Sequence, residues 1–241
     1  MKIISPASSK SRIVSVAVDG NGTALNKGAL LTMGVTAASN MGAFIISGVA
    51  AADAFGILLQ AHAVADDATI ETGVTRVLSE VEMLAPGDLV AAEYDTTDTA
   101  AIASASSTTG VITGSDDETG CWHYVVSGTG IGQLLYIKSY SGDTSTYKSA
   151  PTTQLDSTST VIRILAPGRT LAKLNSTCDK LGTDAADGTA DVLIVRNEFS
   201  YDGQDWIELD YTKHHNLQLN GKNAKFRSIL VFTNLAVSPI A

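Results

Sequence analysis

The sequence predicts an all-β protein made of duplicated small β-barrel or β-sandwich subdomains with an extended N-terminal arm. Three observations lead to this prediction. Short segments of alternating apolar and polar residues run through the chain, and glycine-rich turns separate them. The motif Leu84-Ala85-Pro86-Gly87 recurs 81 residues later as Leu165-Ala166-Pro167-Gly168. The chain also lacks a long amphipathic helical pattern.

The repetition extends beyond the four-residue motif. At the same offset Val81 aligns with Ile162, and a shift of a few residues more aligns Trp122 with Trp206, the two tryptophans of the chain. We therefore expect the tryptophans to be equivalent core anchors. The predicted organisation is an arm and lead-in over residues 1–27, a first β-domain over 28–155 and a second over 156–241.

In the segment before the first motif, residues 74–84, the apolar residues fit the spacing of a helix and that of a strand about equally well. Its counterpart before the second motif, residues 161–165, is short and β-branched, which favours a strand in both places. Alternation then predicts that one set of side chains points inward, namely Val81, Met83, Ile162 and Ile164. It predicts that Glu82 and Arg163 point outward.

Further strands and turns follow from alternation and turn residues. Predicted strands cover residues 134–137, the Phe226–Phe232 region and residues 205–211, where Ile207, Leu209 and Tyr211 share one face. Asp202-Gly203 and Asn220-Gly221 are hairpin signals, since type I′ turns need positive φ at both central residues. Gly128–Gly132 precedes an apolar strand and not a helix, so we expect a hairpin connection and no phosphate loop.

Composition excludes some functional classes. The chain has 25 acidic against 16 basic residues, a net charge of −9 that opposes binding to nucleic acid. Polar residues interrupt its apolar stretches before they reach the length of a membrane span, and the first six residues do not resemble a signal peptide. Hydrophobic residues make up 44% of the chain, enough for a folded core.

The N-terminal arm differs from the remainder in charge. It carries Lys2, Lys10 and Arg12, and its first acid is Asp19. A β-prone strip follows, formed by Ile13, Val14, Val16 and Val18. Such an arm is either a loose terminus or a segment that adds a strand to a neighbouring subunit. These seven residues are the candidate partner-binding site.

Catalytic and metal-binding patterns are weak. The sequence has no G-x-S-x-G motif, and its histidines do not show metal-binding spacing, so we predict no catalytic residue, metal or cofactor. Cys121 and Cys178 are read as small buried residues. The acidic groups Asp116-Asp117-Glu118 and Asp184, Asp187 and Asp191 are read as solvated loops, with calcium binding as the alternative.

Several segments place a glycine before a short apolar strand: residues 27–32, 55–58, 86–90 and 109–112. This arrangement resembles that of the decoration, or cement, proteins of tailed-phage heads. The resemblance implies a non-enzymatic structural protein on the outer capsid surface of a virion. It also implies the major capsid protein as partner, capsid stabilisation as the role and a homo-oligomer, with a trimer favoured.

Other functional classes remain open at this point. One is another virion component, such as a tail or fibre protein. A second is a β-sandwich surface adhesin, and a third is a carbohydrate-active or other enzyme whose site the motifs do not reveal. The low aromatic content, 6%, does not favour a sugar-binding cleft.

Overall fold

The computed structural model describes residues 1–6, 12–19, 24–33, 43–46, 54–64, 78–169, 179–182, 192–219 and 221–232, which form an all-β structure, as predicted. The strands, in chain order, are β1 Lys2–Ser5, β2 Ile13–Asp19, β3 Leu30–Met33, β4 Ala43–Ile46, β5 Ala54–Leu58, β6 Leu78–Met83, β7 Leu89–Glu93, β8 Ala100–Ala101, β9 Ser104–Ala105, β10 Thr109–Val111, β11 Trp122–Ser127, β12 Gln133–Ser141, β13 Thr144–Tyr147, β14 Thr160–Ile164, β15 Val192–Ser200, β16 Ile207–Glu208, β17 Asn216–Gln218 and β18 Lys225–Phe232. No helix among the described residues is long and apolar enough to span a membrane.

A small closed barrel forms the N-terminal part of the fold, with strand order β2-β4-β3-β5-β6. Its strands alternate, so every second side chain points into the barrel. The buried residues of this separate core are Val18, Leu25, Ala29, Leu31, Phe55, Leu58 and Val81.

The central sheet has five strands in the order β1-β7-β18-β15-β16. Its inner face packs on the main hydrophobic core. Along β18, the side chains of Phe226, Ser228, Leu230 and Phe232 alternate into that core and are all buried, which confirms the predicted alternation. The opposite, outer face carries Arg227, and Lys225 is exposed at the start of the strand.

The third sheet curls on itself, with strand order β8-β14-β11-β12-β13-β10-β9 and β17 paired to β12. Its edge strands β8 and β9 belong to one short segment, residues 100–105, which pairs with β14 on one side and β10 on the other. A register shift between Ile137 and Ser139 in β12 accompanies the bend of the sheet.

Both faces of β11 and β14 are buried. Trp122, Tyr124, Ile162 and Ile164 belong to the core shared with the central sheet, while Arg163 pairs with His123 on the other face, inside the curled sheet. The predicted inward positions of Ile162 and Ile164 are therefore confirmed. The predicted outward position of Arg163 is wrong, because this sheet is covered on both sides and the residue is 4% exposed.

The repeated motif forms the same turn twice. Each copy follows a strand of a curled sheet, β6 or β14, and its glycine has positive φ, 87° at Gly87 and 84° at Gly168. Each turn leads the chain into the central sheet: the first into β7, and the second to Gly168, whose amide donates to the Ile194 carbonyl at 2.8 Å.

The equivalence predicted around the two turns does not extend further. Val81 lies in the core of the small barrel, whereas Ile162 lies in the main core. Trp122 is buried in β11, whereas Trp206 lies half-buried outside any strand. Strands on either side of residue 155 pair with one another, as in β14 with β11 and β18 with β7. The predicted boundary thus does not separate the sheets.

Two predicted hairpins are confirmed and one is wrong. Residues 128–132 connect β11 to β12, and Asp202-Gly203 has the positive φ values of a type I′ turn, 50° and 76°. Gly221 precedes β18, which pairs with β7 and β15, whereas β17 pairs with β12 in the third sheet. The chain between β17 and β18 therefore links two sheets, and Asn220 itself lies outside the described residues.

The predicted strand over residues 205–211 is shorter than expected. Only Ile207 and Glu208 form a strand, β16, at the edge of the central sheet. Of the three residues assigned to one inner face, Leu209 is buried, but Ile207 and Tyr211 are exposed. The chain leaves the sheet at Leu209 to reach the third sheet, so the alternation ends there.

Candidate partner-binding surface

The predicted N-terminal arm is part of the folded structure in the residues that the structure describes. Lys2 lies in β1, which pairs with β7 at the edge of the central sheet. Ile13, Val14, Val16 and Val18 lie in β2, which pairs with β6 and β4 in the small barrel. Lys10 falls outside the described residues. The expectation of a free arm is therefore wrong, because these segments pair within their own chain.

The apolar strip of β2 serves the barrel core. Val18 is fully buried, and Val14 and Val16 pack against that core, while Ile13 points outward and is 52% exposed. Deleting residues 1–18 would remove one strand from each of two sheets. We therefore expect this deletion to destabilise the fold and not to release an intact body.

Arg12 is bound within the chain. Its Nη2 atom lies 2.8 Å from Oδ2 of Asp88, whose side chain is buried. The same Asp88 oxygen accepts a hydrogen bond from the Ala85 amide at 2.8 Å, inside the first repeated turn. Arg12 thus ties the start of β2 to that turn and is a structural residue.

Lys2, in contrast, lies at a cavity of about 260 Å³ on the outer face of the central sheet. Its register partner Ala91 lines the cavity, next to a second cross-strand pair, Glu93 and Arg227. Two further lysines complete the cationic lining. The cationic residues of this basic cavity are Lys2, Lys27, Lys180 and Arg227, and its acidic residues are Glu93 and Asp179.

Arg227 is held rigidly beside the cavity. Its Nε and Nη2 atoms lie 2.7 and 2.6 Å from Oε2 of Glu198, and its guanidinium stacks 4.1 Å from the centre of the Trp206 ring. Arg196 Nε donates to the other Glu198 oxygen at 2.8 Å. Burial alone would raise the pKa of Glu198, but hydrogen bonds from Arg196 and Arg227 lower it, so the carboxylate stays ionised.

The sequence prediction found only one residue of this cavity, Lys2. Lys27 precedes β3, Lys180 follows the second motif by more than ten residues, and Arg227 is the third residue of β18. The positions of these residues in the sequence do not indicate that they lie close together in the fold. Lys2 and Arg227 meet because β1, β7 and β18 are neighbours in the central sheet, and the Met1 ammonium donates to backbone carbonyls next to Lys27 and Lys180.

A second polar cluster lies inside the curled third sheet. His123 Nε2 and Arg163 Nη1 lie 3.0 and 3.3 Å from the two carboxylate oxygens of Glu118. The Ser145 hydroxyl donates to Glu118, and the Tyr147 hydroxyl lies 3.1 Å from His123 Nδ1. A Cβ at Gly110 would collide with the Tyr147 hydroxyl, so glycine is needed there.

This buried cluster brings a serine, a histidine and a carboxylate together without the geometry of a hydrolase. Ser145 donates to the carboxylate and not to the histidine, and all three side chains are almost fully buried. Burial raises the pKa of Glu118, but His123, Ser145 and Arg163 together lower it to about 2. Glu118 is therefore an ionised core residue, and its assignment to a solvated loop is wrong.

The remaining residues considered as reactive or metal-binding groups are the two cysteines and a second group of acids. Cys121 is buried, and burial raises the pKa of its thiol to about 11, which disfavours the reactive thiolate. Cys178 and the group Asp184, Asp187 and Asp191 lie outside the described residues. Within the described ranges, no group of three or more His, Cys, Asp or Glu side chains could hold a metal ion.

In comparisons with known proteins, the chain matches no family model, no curated protein and no solved structure.

Proposed function

We propose that this chain is a non-enzymatic viral structural protein that decorates a capsid shell and stabilises it by binding across subunits of the major capsid protein. It acts on the outer surface of the virion, as a homo-oligomer in which a trimer is favoured. A shell under internal pressure fails where neighbouring subunits separate. A protein bound to two of them adds its binding free energy to that contact.

The observation that carries the proposal is the basic cavity. In a chain of net charge −9, its lining has four cationic and two acidic side chains, on the outer face of a sheet whose Arg227 is fixed by Glu198 and Trp206. A cationic site on a rigid face favours a charged protein surface as partner. The acidic remainder of the chain disfavours nucleic acid.

The buried cluster around Glu118 supports a structural role over an enzymatic one. Its ionisable groups bind one another in the interior of the third sheet, where the side chains of Glu118 and His123 are almost fully buried. Catalytic groups need contact with a substrate in a cleft. Here the same residue types stabilise the sheet.

The test is the copy number of the chain in purified particles, measured by quantitative mass spectrometry against the major shell protein. We expect a near-stoichiometric ratio, and we expect purified chain to raise the temperature at which shells stripped of it release their contents. A few copies per particle would point to a tail or fibre component instead. Binding of the isolated chain to glycans or cells, without particle association, would point to an adhesin.

A further inference from the structure

We infer that the basic cavity is a receptor for a glutamate- or aspartate-rich segment of a partner protein, whose carboxylates enter between Lys2, Lys27 and Arg227. The inference rests on the proposed function only for the identity of the partner. The chemistry of recognition follows from the cavity itself.

The charge of the basic cavity favours an anionic ligand. Within the described part of the chain, Lys2 and Lys27 form no ion pair, and both are exposed. Of the two acids of the lining, Asp179 Oδ2 accepts a hydrogen bond from Asn26 Nδ2 at 3.3 Å, and Glu93 lies opposite Arg227 in the strand register. Lys2 and Lys27 are therefore the cations of the cavity whose charge a ligand can neutralise.

The volume of the basic cavity suits a ligand of the size of a carboxylate group. The volume of about 260 Å³ exceeds that of several water molecules, at roughly 30 Å³ each, and accommodates one or two carboxylate groups. Small Ala91 lines the cavity, and the alternation of β7 directs it to the same face as Glu93. A larger side chain at residue 91 would fill this space.

The charge of the remainder of the chain favours a short acidic segment over an extended polyanion as the ligand. A nucleic acid or another extended polyanion would be repelled by the acidic remainder of the chain, whereas a short acidic segment meets only the local cations. Arg227, fixed by Glu198 and Trp206, is already ordered for binding, which reduces the entropy lost on association.

The test uses the full chain and a fluorescein-labelled tri-glutamate peptide, followed by fluorescence anisotropy at low salt. We expect saturable binding that added salt weakens and that a tri-lysine peptide does not reproduce. The double variant Lys2→Glu/Lys27→Glu should weaken binding by at least about tenfold, since exposed ion pairs are lost and repulsion replaces them. Ala91→Leu should weaken it without changing the net charge.

The matched control is Lys138→Glu/Lys225→Glu, which makes the same charge change at two exposed lysines that do not line the cavity. It should change the affinity for tri-glutamate less than twofold or threefold. Equal weakening by both double variants would overturn the inference, because binding would then follow net charge alone. Circular dichroism and thermal unfolding of each variant confirm that it is folded.

Two other outcomes also overturn it. One is the absence of saturable binding at about millimolar peptide, and the other is inorganic phosphate competing as strongly as tri-glutamate, which would indicate a site for simple anions. If the charge-reversed chain fails to bind tri-glutamate yet still attaches to shells, the cavity is not the attachment site and the proposed function stands. If tri-glutamate binds but particles lack the chain, the proposed function fails and the acidic-segment site remains.

Discussion

The Tyr94 hydroxyl lies 3.0 Å from the Leu165 amide nitrogen and accepts its hydrogen bond, so that the end of β7 is joined to the end of β14. The same hydroxyl lies 2.9 Å from Ser228 Oγ, which donates to Asn197 Oδ1 at 2.6 Å. Asn197 Nδ2 in turn donates to the Leu165 carbonyl at 2.7 Å. The four residues close a buried ring of hydrogen bonds between the central and third sheets.

Removal of the Tyr94 hydroxyl tests this ring. Tyr94→Phe leaves the buried Leu165 amide without its acceptor and removes one of the two hydrogen bonds of the Ser228 hydroxyl, so we expect a loss of about 1–3 kcal/mol in the free energy of unfolding. Urea denaturation measures it. Tyr124→Phe is the control, because Tyr124 is buried but its hydroxyl makes no hydrogen bond within the described ranges. Equal losses in the two variants would show that the ring contributes nothing specific.

The buried carboxylate of Glu118 predicts a pH dependence. Its pKa is lowered from the ordinary 4.5 to about 2, so its contribution to stability is complete above about pH 4.5 and is lost as the pH falls towards 2. Glu118→Gln should lower stability at pH 7 by about 3 kcal/mol, since it removes the carboxylate charge that faces the buried Arg163 and His123. The stability of this variant should also fall less steeply than that of the wild-type chain between pH 4.5 and 2.

Urea unfolding at several pH values checks this, with Asp116→Asn as the control. Asp116 is a half-buried neighbour in the chain that carries the same carboxylate but takes no part in the buried cluster. A Glu118→Gln variant as stable as wild type at pH 7, with an unchanged pH profile, would contradict an ionised core carboxylate.

The Arg12–Asp88 ion pair is expected to be structural. Because Asp88 is buried, removal of one partner should cost about 3 kcal/mol. The variants Arg12→Met, Asp88→Asn and their combination form a double-mutant cycle, measured by urea unfolding. We expect a coupling energy of at least about 1 kcal/mol, and purely additive losses would mean that the two side chains do not interact in solution.

The two tryptophans are expected to differ. Trp122 is 2% exposed and packs edge-on against Tyr136 at 5.0 Å between ring centres, so Trp122→Ala should cost about 3–5 kcal/mol. Trp206 is half-buried and stacks against the Arg227 guanidinium, so Trp206→Ala should cost about 1 kcal/mol. Thermal and urea unfolding measure both. Equal losses would restore the equivalence that the repeat predicts.

The pattern of residues along the chain determined the local structure. Alternation in β18, β-branched residues in β14, the Asp202-Gly203 turn and the repeated Leu-Ala-Pro-Gly turns were all predictable, because each depends on side-chain period and backbone φ within a few residues. The net charge of −9 likewise opposes nucleic-acid binding whatever the fold.

The tertiary structure decided which strands pair and which faces are covered. Arg163 and Glu118 read as surface residues in the sequence, and they are buried because the third sheet curls round them and pairs their charges. The apolar strip of β2 reads as an interface strand, yet it closes a barrel within its own chain. Lys2 and Arg227 come together only through the order of β1, β7 and β18. Strand order depends on contacts between residues far apart in the chain, which the local period of one strand does not encode.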